Sequence, residues 1–226
     1  MAIKHIFFDL DHTLWDFESN SKKTFSHIFD RNNLSIDFDK FIEVYKPINH
    51  QYWKLFREDK VSKAELRYGR LQQTFKSIDF SYNDDLIHLL SEEYITYLAD
   101  HNDLFDNAIP VLDYLAAKYK MHIITNGFEE VQNRKLKNSK LLPYFDEVIT
   151  SEKVGVKKPN PKIFKYAMDL TNAVSNESMM IGDNFEADIL GAKNMGMHVI
   201  FCKFNGESAT EEVNSVENLI ELKNFL

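Results

Sequence analysis

The residues of this sequence that could carry chemistry stand directly after short apolar runs or in the loops between them. They are Asp9 and Asp11, the tripeptide Thr125-Asn126-Gly127, Lys158, and Asp183 with Asp188 five residues later. Carboxylates are ligands that Mg²⁺ prefers. A hydroxyl, a glycine-flanked turn and a lysine can together bind the oxygens of a phosphate group. These residue types therefore predict a site for a divalent metal and a phosphate.

Charge suggests a role for Asp9 in such a site. A phosphate monoester dianion repels a carboxylate, so attack by Asp9 requires positive charge nearby. Mg²⁺ held by Asp9 and Asp183 would supply part of that charge, and Lys158 would supply the rest. Aspartate suits a nucleophile because it is ionised at neutral pH and needs no adjacent base.

The remaining residues suit the other tasks of phosphoryl chemistry. Asp11 would protonate the leaving oxygen and later activate a water molecule, which requires a raised pKa. Thr125 and the backbone N–H groups of Asn126 and Gly127 would hold the phosphoryl oxygens. Gly127 would permit a close approach of the backbone.

The elements that must position these residues are read from the apolar pattern. Five short apolar runs are typical of buried strands, and helix-like segments separate them; the runs cover residues 3–8, 121–124, 148–149, 179–181 and 198–202. Asn160-Pro161 is typical of a helix start, and apolar residues at helical spacing follow Asn184. This alternation predicts an α/β fold, a Rossmann-like doubly wound parallel sheet. The candidate residues would meet at the carboxyl edge of that sheet.

Residues 18–100 show a different pattern. Their apolar residues follow helical spacing throughout, with no convincing strand, which predicts an all-helical insertion. Pro47 is expected to end or kink the second of these helices. We therefore expect a core of residues 1–17 plus 101–226 and an α-helical cap of residues 18–100.

Composition indicates which binding partners and which cellular compartment to expect. The 226 residues carry a formal net charge of −8 without a long basic run, which argues against binding a nucleic acid polymer. No apolar stretch approaches the roughly 18 residues that span a bilayer. The N-terminal apolar run ends at Asp9, too early for a signal peptide. The single cysteine, Cys202, fits a reducing compartment. We expect a cytoplasmic protein, monomer or homodimer, without a membrane partner, that binds a small phosphorylated metabolite.

The four groups of residues form a pattern when taken in order. Residues 9–14, DLDHTL, resemble the first motif of the haloacid dehalogenase superfamily, and Thr125-Asn126-Gly127 resembles the second. Lys158-Pro159 resembles the third motif, and Gly182-Asp183 with Asp188 resembles the fourth. The helical insertion resembles the α-helical cap of phosphoglycolate phosphatase-like members.

The resemblance implies roles for these residues and Mg²⁺ as the cofactor. Asp9 would be the nucleophile, Asp11 the acid/base, and Asp183 a metal ligand together with Asp9 and the main-chain carbonyl of Asp11. Asp188 would support the metal site. True dehalogenases of the superfamily lack the second aspartate of the first motif, so Asp11 favours phosphate chemistry. Residues 9–18, DLDHTLWDFE, and residues 155–159 further resemble pyrimidine 5′-nucleotidase-like enzymes.

Several alternatives stay open at this stage. The substrate could be a nucleoside 5′-monophosphate, a sugar phosphate or phosphoglycolate. The activity could be phosphoryl transfer of the β-phosphoglucomutase type, or the chain could be a phospho-accepting interaction protein without turnover. Asp188 could be a surface charge and Thr125 only a helix cap. Trp15 and Phe17, close to the nucleophile, are the candidates for stacking on a nucleobase.

Overall fold

The computed structural model describes residues 2–204 and 209–226. The chain forms two compact units, Met1–Glu18 with Asn102–Leu226, and Ser19–His101. The first unit contains the strands, and the second is built from helices. The sequence predicted an α/β core of residues 1–17 plus 101–226 and a helical cap of residues 18–100. These functional domain limits stay a prediction.

The α/β unit is built on a six-stranded sheet in the order β3-β2-β1-β4-β5-β6, and every neighbouring pair is parallel. The strands are β1 His5–Phe8, β2 Lys120–Thr125, β3 Glu147–Thr150, β4 Ser178–Gly182, β5 His198–Cys202 and β6 Ser215–Val216. Five of them coincide with the predicted apolar runs, and the doubly wound parallel sheet is confirmed. The sequence interpretation missed β6, whose two residues are too few to show a pattern.

Helices connect these strands. In the α/β unit they are α5 Ala108–Ala116, α6 Glu129–Asn138, α7 Ser151–Val154, α8 Pro161–Thr171 and α9 Gly191–Lys193. A π-helical turn, Phe185–Leu190, precedes α9, and short 3₁₀ turns lie at 142–144, 175–177 and 219–224. Helix α8 begins as predicted, because the Asn160 side chain accepts a hydrogen bond from the backbone of Lys162 and Pro161 is the first helical residue.

The sheet is buried, and the pairing of its strands determines which strand ends lie next to one another. One core cluster contains Phe7, Ile124, Ile149 and Met180 from four adjacent strands, each fully buried. Such continuous apolar runs are expected when helices cover both faces of a parallel sheet. Phe8 is paired with Ile123 of β2 and with Ile181 of β4. The residues that follow β1, β2 and β4 therefore leave the sheet side by side.

The second unit contains four long helices. They are α1 Phe17–Arg31, which begins two residues before this unit, α2 Phe38–Arg57, α3 Lys63–Ser77 and α4 Asp84–Tyr97, followed by a 3₁₀ turn at 98–100. Ser62 and Glu65 form a reciprocal capping box at the start of α3. The core is rich in aromatic residues, with Phe25 stacked on Tyr94 at 4.6 Å. None of the described helices is both long and apolar enough to cross a membrane.

Helix α2 does not end at Pro47. The helix continues to Arg57, so of the two expected effects of Pro47, an end or a kink, the end does not occur. Proline removes one N–H donor and leaves the carbonyl four residues earlier, at Glu43, without its helical partner. Pro47 and Glu43 are both exposed, so water can satisfy that carbonyl.

Two histidines on adjacent strands make the stability of the α/β unit depend on pH. His122 is buried in β2, and its Nε2 lies 3.0 Å from Nδ1 of His5 in β1. The pKa of His122 is lowered from 6.5 to about 4, chiefly by burial and in addition by the charge of the neighbouring His5. Since the unfolded chain binds this proton at a higher pH than the folded chain, acid favours unfolding between these two values.

We therefore expect the free energy of unfolding to fall by up to about 2 kcal/mol between pH 6.5 and 4 because of this pair. The contribution is fully present above pH 6.5. Denaturant unfolding at several pH values in this range should show a free energy of unfolding that changes less with pH in His122→Phe than in the wild type. The substitution keeps an aromatic ring beside Phe7. His198→Gln, at an exposed histidine of β5, is the matched control. An unchanged slope in His122→Phe would contradict the prediction.

Candidate metal and phosphate site

A buried lysine connects two carboxylates at the carboxyl edge of the sheet. Lys158 Nζ lies 2.6 Å from Asp9 Oδ1, 2.7 Å from Asp188 Oδ1 and 2.6 Å from the carbonyl oxygen of Ile124. The side chain of Lys158 is 2% exposed and that of Asp188 is 2% exposed. The structure thus brings three of the predicted residues together around one ammonium group.

Burial and charge act in opposite directions on this group. The pKa of Asp9 is raised from 3.8 to about 7: burial raises it most, the ammonium of Lys158 lowers it, and the carboxylates of Asp188 and Asp11 raise it. Burial lowers the pKa of Lys158, but the carboxylates of Asp188 and Asp9 raise it more, so the lysine stays charged. Ionisation of Asp9 at neutral pH therefore depends on positive charge around it, in contrast to the unaided ionisation that the sequence suggested.

The loop after β3 carries Lys158 into the site, and Asn126 fixes its backbone. This loop follows the third strand in chain order and contains the short helix α7. The Asn126 side chain accepts a hydrogen bond from Lys158 N at 2.8 Å and donates one to Lys158 O at 3.0 Å. Asn126 was predicted to bind phosphate through its backbone. Its side chain has a further role, which is to hold the backbone of Lys158.

Three carboxylates converge beside the lysine. One oxygen each of Asp9, Asp183 and Asp188 lie within 4.8 Å of one another. Thr13 Oγ1 donates a hydrogen bond to Asp183 Oδ1 at 3.3 Å. A cluster of carboxylate oxygens fits Mg²⁺, a hard cation that prefers oxygen ligands and is bound through a few carboxylates and substrate phosphate.

Asp188 is placed in this cluster by the turn that follows β4. The chain forms a π-helical turn here, and Asp188 Oδ2 accepts a hydrogen bond from the backbone N–H of Asn184 at 3.0 Å. A side chain at Gly182 would meet Asp188, because a Cβ would lie 2.3 Å from Asp188 Oδ2. Asp188 is therefore buried beside Lys158 and Asp9, which excludes the alternative that it is a surface charge. Its role as a supporting carboxylate of the metal site stays a prediction.

Helix α6 holds both carboxylate oxygens of Asp11. Gln132 Nε2 donates to Asp11 Oδ2 at 2.8 Å, and Lys135 Nζ lies 2.5 Å from Asp11 Oδ1. Lys135 Nζ also lies 4.1 Å from the ring centroid of Trp15, in cation–π geometry. Both helix residues are at most 2% exposed. Asp11 is thus held in one orientation by two residues that the sequence interpretation missed.

A signal for these two residues exists in the sequence. The buried residues of α6 are Val131, Gln132, Lys135 and Leu136, the spacing of an inward-facing helical stripe. Two of these four positions are polar. Buried polar side chains need partners, so polar residues in such a stripe, one turn after a loop motif, indicate a site.

The Thr125 hydroxyl is fixed in place by two donors. It accepts hydrogen bonds from Gly127 N at 3.1 Å and from Gln132 Nε2 at 2.7 Å. Helix α6 begins after Phe128, which makes no side-chain cap. Thr125 is therefore not the cap of this helix. A Cβ at Gly127 would lie 2.3 Å from Gln132 Nε2, so a side chain at this position would displace the Gln132 amide from Thr125.

The remaining residues singled out in the sequence lie close by in other roles. Trp15 is 0% exposed and Phe17 is 6% exposed, and both rings pack near Lys135. Neither ring is open to a nucleobase, as the stacking hypothesis would need. Burial raises the pKa of the Cys202 thiol, at the end of β5, well above its ordinary value. The thiol is therefore inert at neutral pH.

Comparison with known proteins assigns the family. The family model of haloacid dehalogenase-like hydrolases matches residues 6–202. The chain therefore belongs to this family of hydrolases, and the resemblance expected from the four motifs is confirmed.

Particular relatives cover nearly the whole chain. The pyrimidine 5′-nucleotidase PynA of Streptococcus pneumoniae is 29% identical, over 100% of this chain and 98% of PynA. A glyceraldehyde 3-phosphate phosphatase of Methanothermobacter thermautotrophicus is 31% identical, over 95% of this chain and 91% of the relative. The magnesium-bound crystal structure of the HAD-hydrolase YfnB from Bacillus subtilis matches with a TM-score of 0.89 and 25% identity, over 100% of this chain and 99% of YfnB.

Proposed function

We propose that this protein is a magnesium-dependent phosphatase that hydrolyses small phosphate monoesters through an aspartyl-phosphate on Asp9. The observation that carries the proposal is the position of Asp9, 2.6 Å from the buried ammonium of Lys158 and clustered with Asp183 and Asp188. A carboxylate surrounded in this way can attack a phosphorus atom, because the lysine offsets the charge of the incoming phosphate.

In the first step, a carboxylate oxygen of Asp9 forms a bond to phosphorus as the bond to the ester oxygen breaks. Asp11 gives its proton to that leaving oxygen, so the product departs as an alcohol. The Thr125 hydroxyl and the backbone N–H group of Asn126 hold the phosphoryl oxygens, and Lys158 stays charged beside them. The N–H group of Gly127, which was also expected to bind phosphate, already donates to Thr125 Oγ1 and so positions that hydroxyl.

In the second step, Asp11, now a carboxylate, takes a proton from a water molecule as that water attacks phosphorus. The bond between phosphorus and Asp9 breaks, which releases inorganic phosphate and restores both carboxyl groups. Asp9 and Asp11 lie two residues apart beyond β1, and this spacing supports the proposal that both act on the same phosphoryl group.

Asp9, Asp183 and the main-chain carbonyl of Asp11 would hold Mg²⁺, with Asp188 as a supporting carboxylate. Bound Mg²⁺ supplies positive charge against the repulsion between the phosphate dianion and the Asp9 carboxylate. Asp9 and Asp188 already share the one ammonium of Lys158, so the cluster has carboxylate charge left for a cation.

For the substrate we propose a nucleoside 5′-monophosphate with a pyrimidine base. Support comes from the first-motif stretch DLDHTLWDFE and from the similarity to PynA, a pyrimidine 5′-nucleotidase. The second candidate is a small sugar phosphate, which is favoured by the similarity to a glyceraldehyde 3-phosphate phosphatase.

Phosphate release from a panel of esters tests both levels of this proposal. We expect release with Mg²⁺ and a loss of at least about 10³-fold with chelator, since the carboxylate cluster then faces the phosphate with Lys158 alone. UMP, dUMP and dTMP should give a kcat/KM at least about tenfold above AMP and GMP, the matched purine controls.

Each other outcome of the panel has a definite meaning. A preference for glyceraldehyde 3-phosphate or phosphoglycolate would keep the chemistry and reject the nucleotidase. Conversion of β-glucose 1-phosphate into glucose 6-phosphate would indicate a phosphotransferase. Absence of release from every ester, with Mg²⁺ present, would reject the phosphatase and favour a phospho-accepting interaction protein.

A further inference from the structure

We propose that Gln132 is a positioning residue that orients the acid/base Asp11 and the phosphate-binding hydroxyl of Thr125 through a single amide group. This inference rests on the proposed function and adds a residue that the four sequence motifs do not contain. Gln132 is 0% exposed, and its Nε2 lies 2.8 Å from Asp11 Oδ2 and 2.7 Å from Thr125 Oγ1.

The two bonds define which way the amide faces. In its carboxylate form, in which it enters the second step, Asp11 can only accept hydrogen bonds, so the side of Gln132 that faces Asp11 is the NH₂ group. That group has two hydrogens, one for Asp11 and one for Thr125. Lys135 Nζ, 2.5 Å from the other oxygen of Asp11, completes the set, so both oxygens of the acid/base are held.

The same bond determines the direction of the Thr125 hydroxyl hydrogen. A hydroxyl has two acceptor lone pairs and one hydrogen. Gln132 Nε2 and Gly127 N occupy the two acceptor positions. No protein acceptor for the hydrogen itself is found within residues 2–204 and 209–226. The hydroxyl is therefore left as a donor, which is the polarity that a phosphoryl oxygen requires.

This arrangement has two structural costs, which indicate that it serves more than packing. Gln132 Oε1 is buried without a hydrogen-bond partner. Buried polar atoms are rarely left in this state, and an apolar side chain of similar length would avoid it. In addition, a side chain at position 127 would displace the Gln132 amide, because a Cβ there would lie 2.3 Å from Gln132 Nε2.

Steady-state kinetics of Gln132→Met and Thr125→Val, alone and combined, test the inference. Gln132→Met keeps the length of the side chain and removes both N–H donors. We expect kcat to fall by about 10²-fold, because the orientation of the acid/base is lost. The inhibition constant of inorganic phosphate should rise by the same factor in Gln132→Met, in Thr125→Val and in the double variant. Each of the three loses the same contact, the oriented hydroxyl of Thr125 on the phosphate.

Two more variants separate polarity from packing. Gln132→Glu keeps the shape and presents acceptors to Asp11 and Thr125, so it should be at least as inactive as Gln132→Met. Asn133→Ala changes the exposed neighbouring position of the same helix and should behave as the wild type. Thermal unfolding of each variant shows whether the fold is retained.

The outcomes separate this inference from the proposed function. If the wild type releases phosphate and Gln132→Met keeps its kcat and phosphate inhibition, the positioning role is wrong. Multiplicative effects of Gln132→Met and Thr125→Val on phosphate inhibition would also reject it, because the two residues would then act independently. A wild type that is inactive on every ester would instead reject the phosphatase. Phosphate binding by wild type and Gln132→Met, measured calorimetrically with inorganic phosphate, would still test the effect on Thr125.

Discussion

Asp9→Asn is expected to abolish phosphate release, with a loss of at least about 10⁴-fold in kcat, because an amide oxygen is a far weaker nucleophile than a carboxylate. The fold should be retained. Asparagine keeps an oxygen that can accept the hydrogen bond from Lys158, and it removes one of the two buried carboxylates that share that ammonium. In wild-type protein without metal, burial and the carboxylates of Asp188 and Asp11 outweigh Lys158 and raise the pKa of Asp9 to about 7, so the charged form is costly.

The variant is therefore expected to be as stable as the wild type, or more stable, in chelator at neutral pH. Phosphate release with Mg²⁺ and denaturant unfolding in chelator measure the two effects. Asp16→Asn is the matched control, since Asp16 also lies in the loop between β1 and α1 and is half-buried. Appreciable turnover by Asp9→Asn would remove Asp9 as the nucleophile. If Asp9→Asn is inactive because it does not fold, the nucleophile is identified instead by mass spectrometry of the wild-type enzyme, which locates the phosphorylated residue.

The sheet could be predicted from the sequence because its strands are buried on both faces. Each strand then appears as a short apolar run that ends in a polar residue, as at Phe8-Asp9 and Gly182-Asp183. The parallel arrangement follows from the helices between the runs, and the carboxyl edge follows from the parallel arrangement. Strand β6 was missed, and α2 continues beyond Pro47, where an end or a kink was expected. A two-residue strand has no periodicity, and the effect of a proline depends on whether water reaches the carbonyl before it.

The site was predictable as far as its residues lie in loops at strand ends. Lys158 could be named, but its burial between Asp9 and Asp188 depends on the packing of three loops that are distant in sequence. Gln132 and Lys135 were not predicted as site residues because they lie within a helix, where polar residues usually face solvent. Asp11 looked like a carboxylate that needed only a raised pKa. Its actual partners arise from a helix that begins more than 100 residues later.

Lys158→Met is expected to have the second large effect, on both activity and stability. The substitution keeps the length and volume of the side chain but removes the only cation that contacts Asp9 and Asp188 among the described residues. Turnover should fall by at least about 10³-fold, because the ammonium no longer offsets the charge of Asp9 and the phosphate. The free energy of unfolding in chelator should fall by about 3–5 kcal/mol, the usual consequence of removing one partner from a buried ion pair.

A double variant separates these two consequences. In Lys158→Met/Asp188→Asn, one buried carboxylate is also neutralised, so most of the lost stability should return while turnover stays low. Added Mg²⁺ should stabilise Lys158→Met more than it stabilises the double variant, because it binds the carboxylates of the folded state. Lys153→Met, an exposed lysine two residues into α7, is the control for loss of a lysine from the same segment. Wild-type stability in Lys158→Met would show that Asp9 and Asp188 do not depend on this ammonium. Recovery of turnover in the double variant would assign Lys158 a purely structural role, because only the charge balance of the buried cluster would then matter.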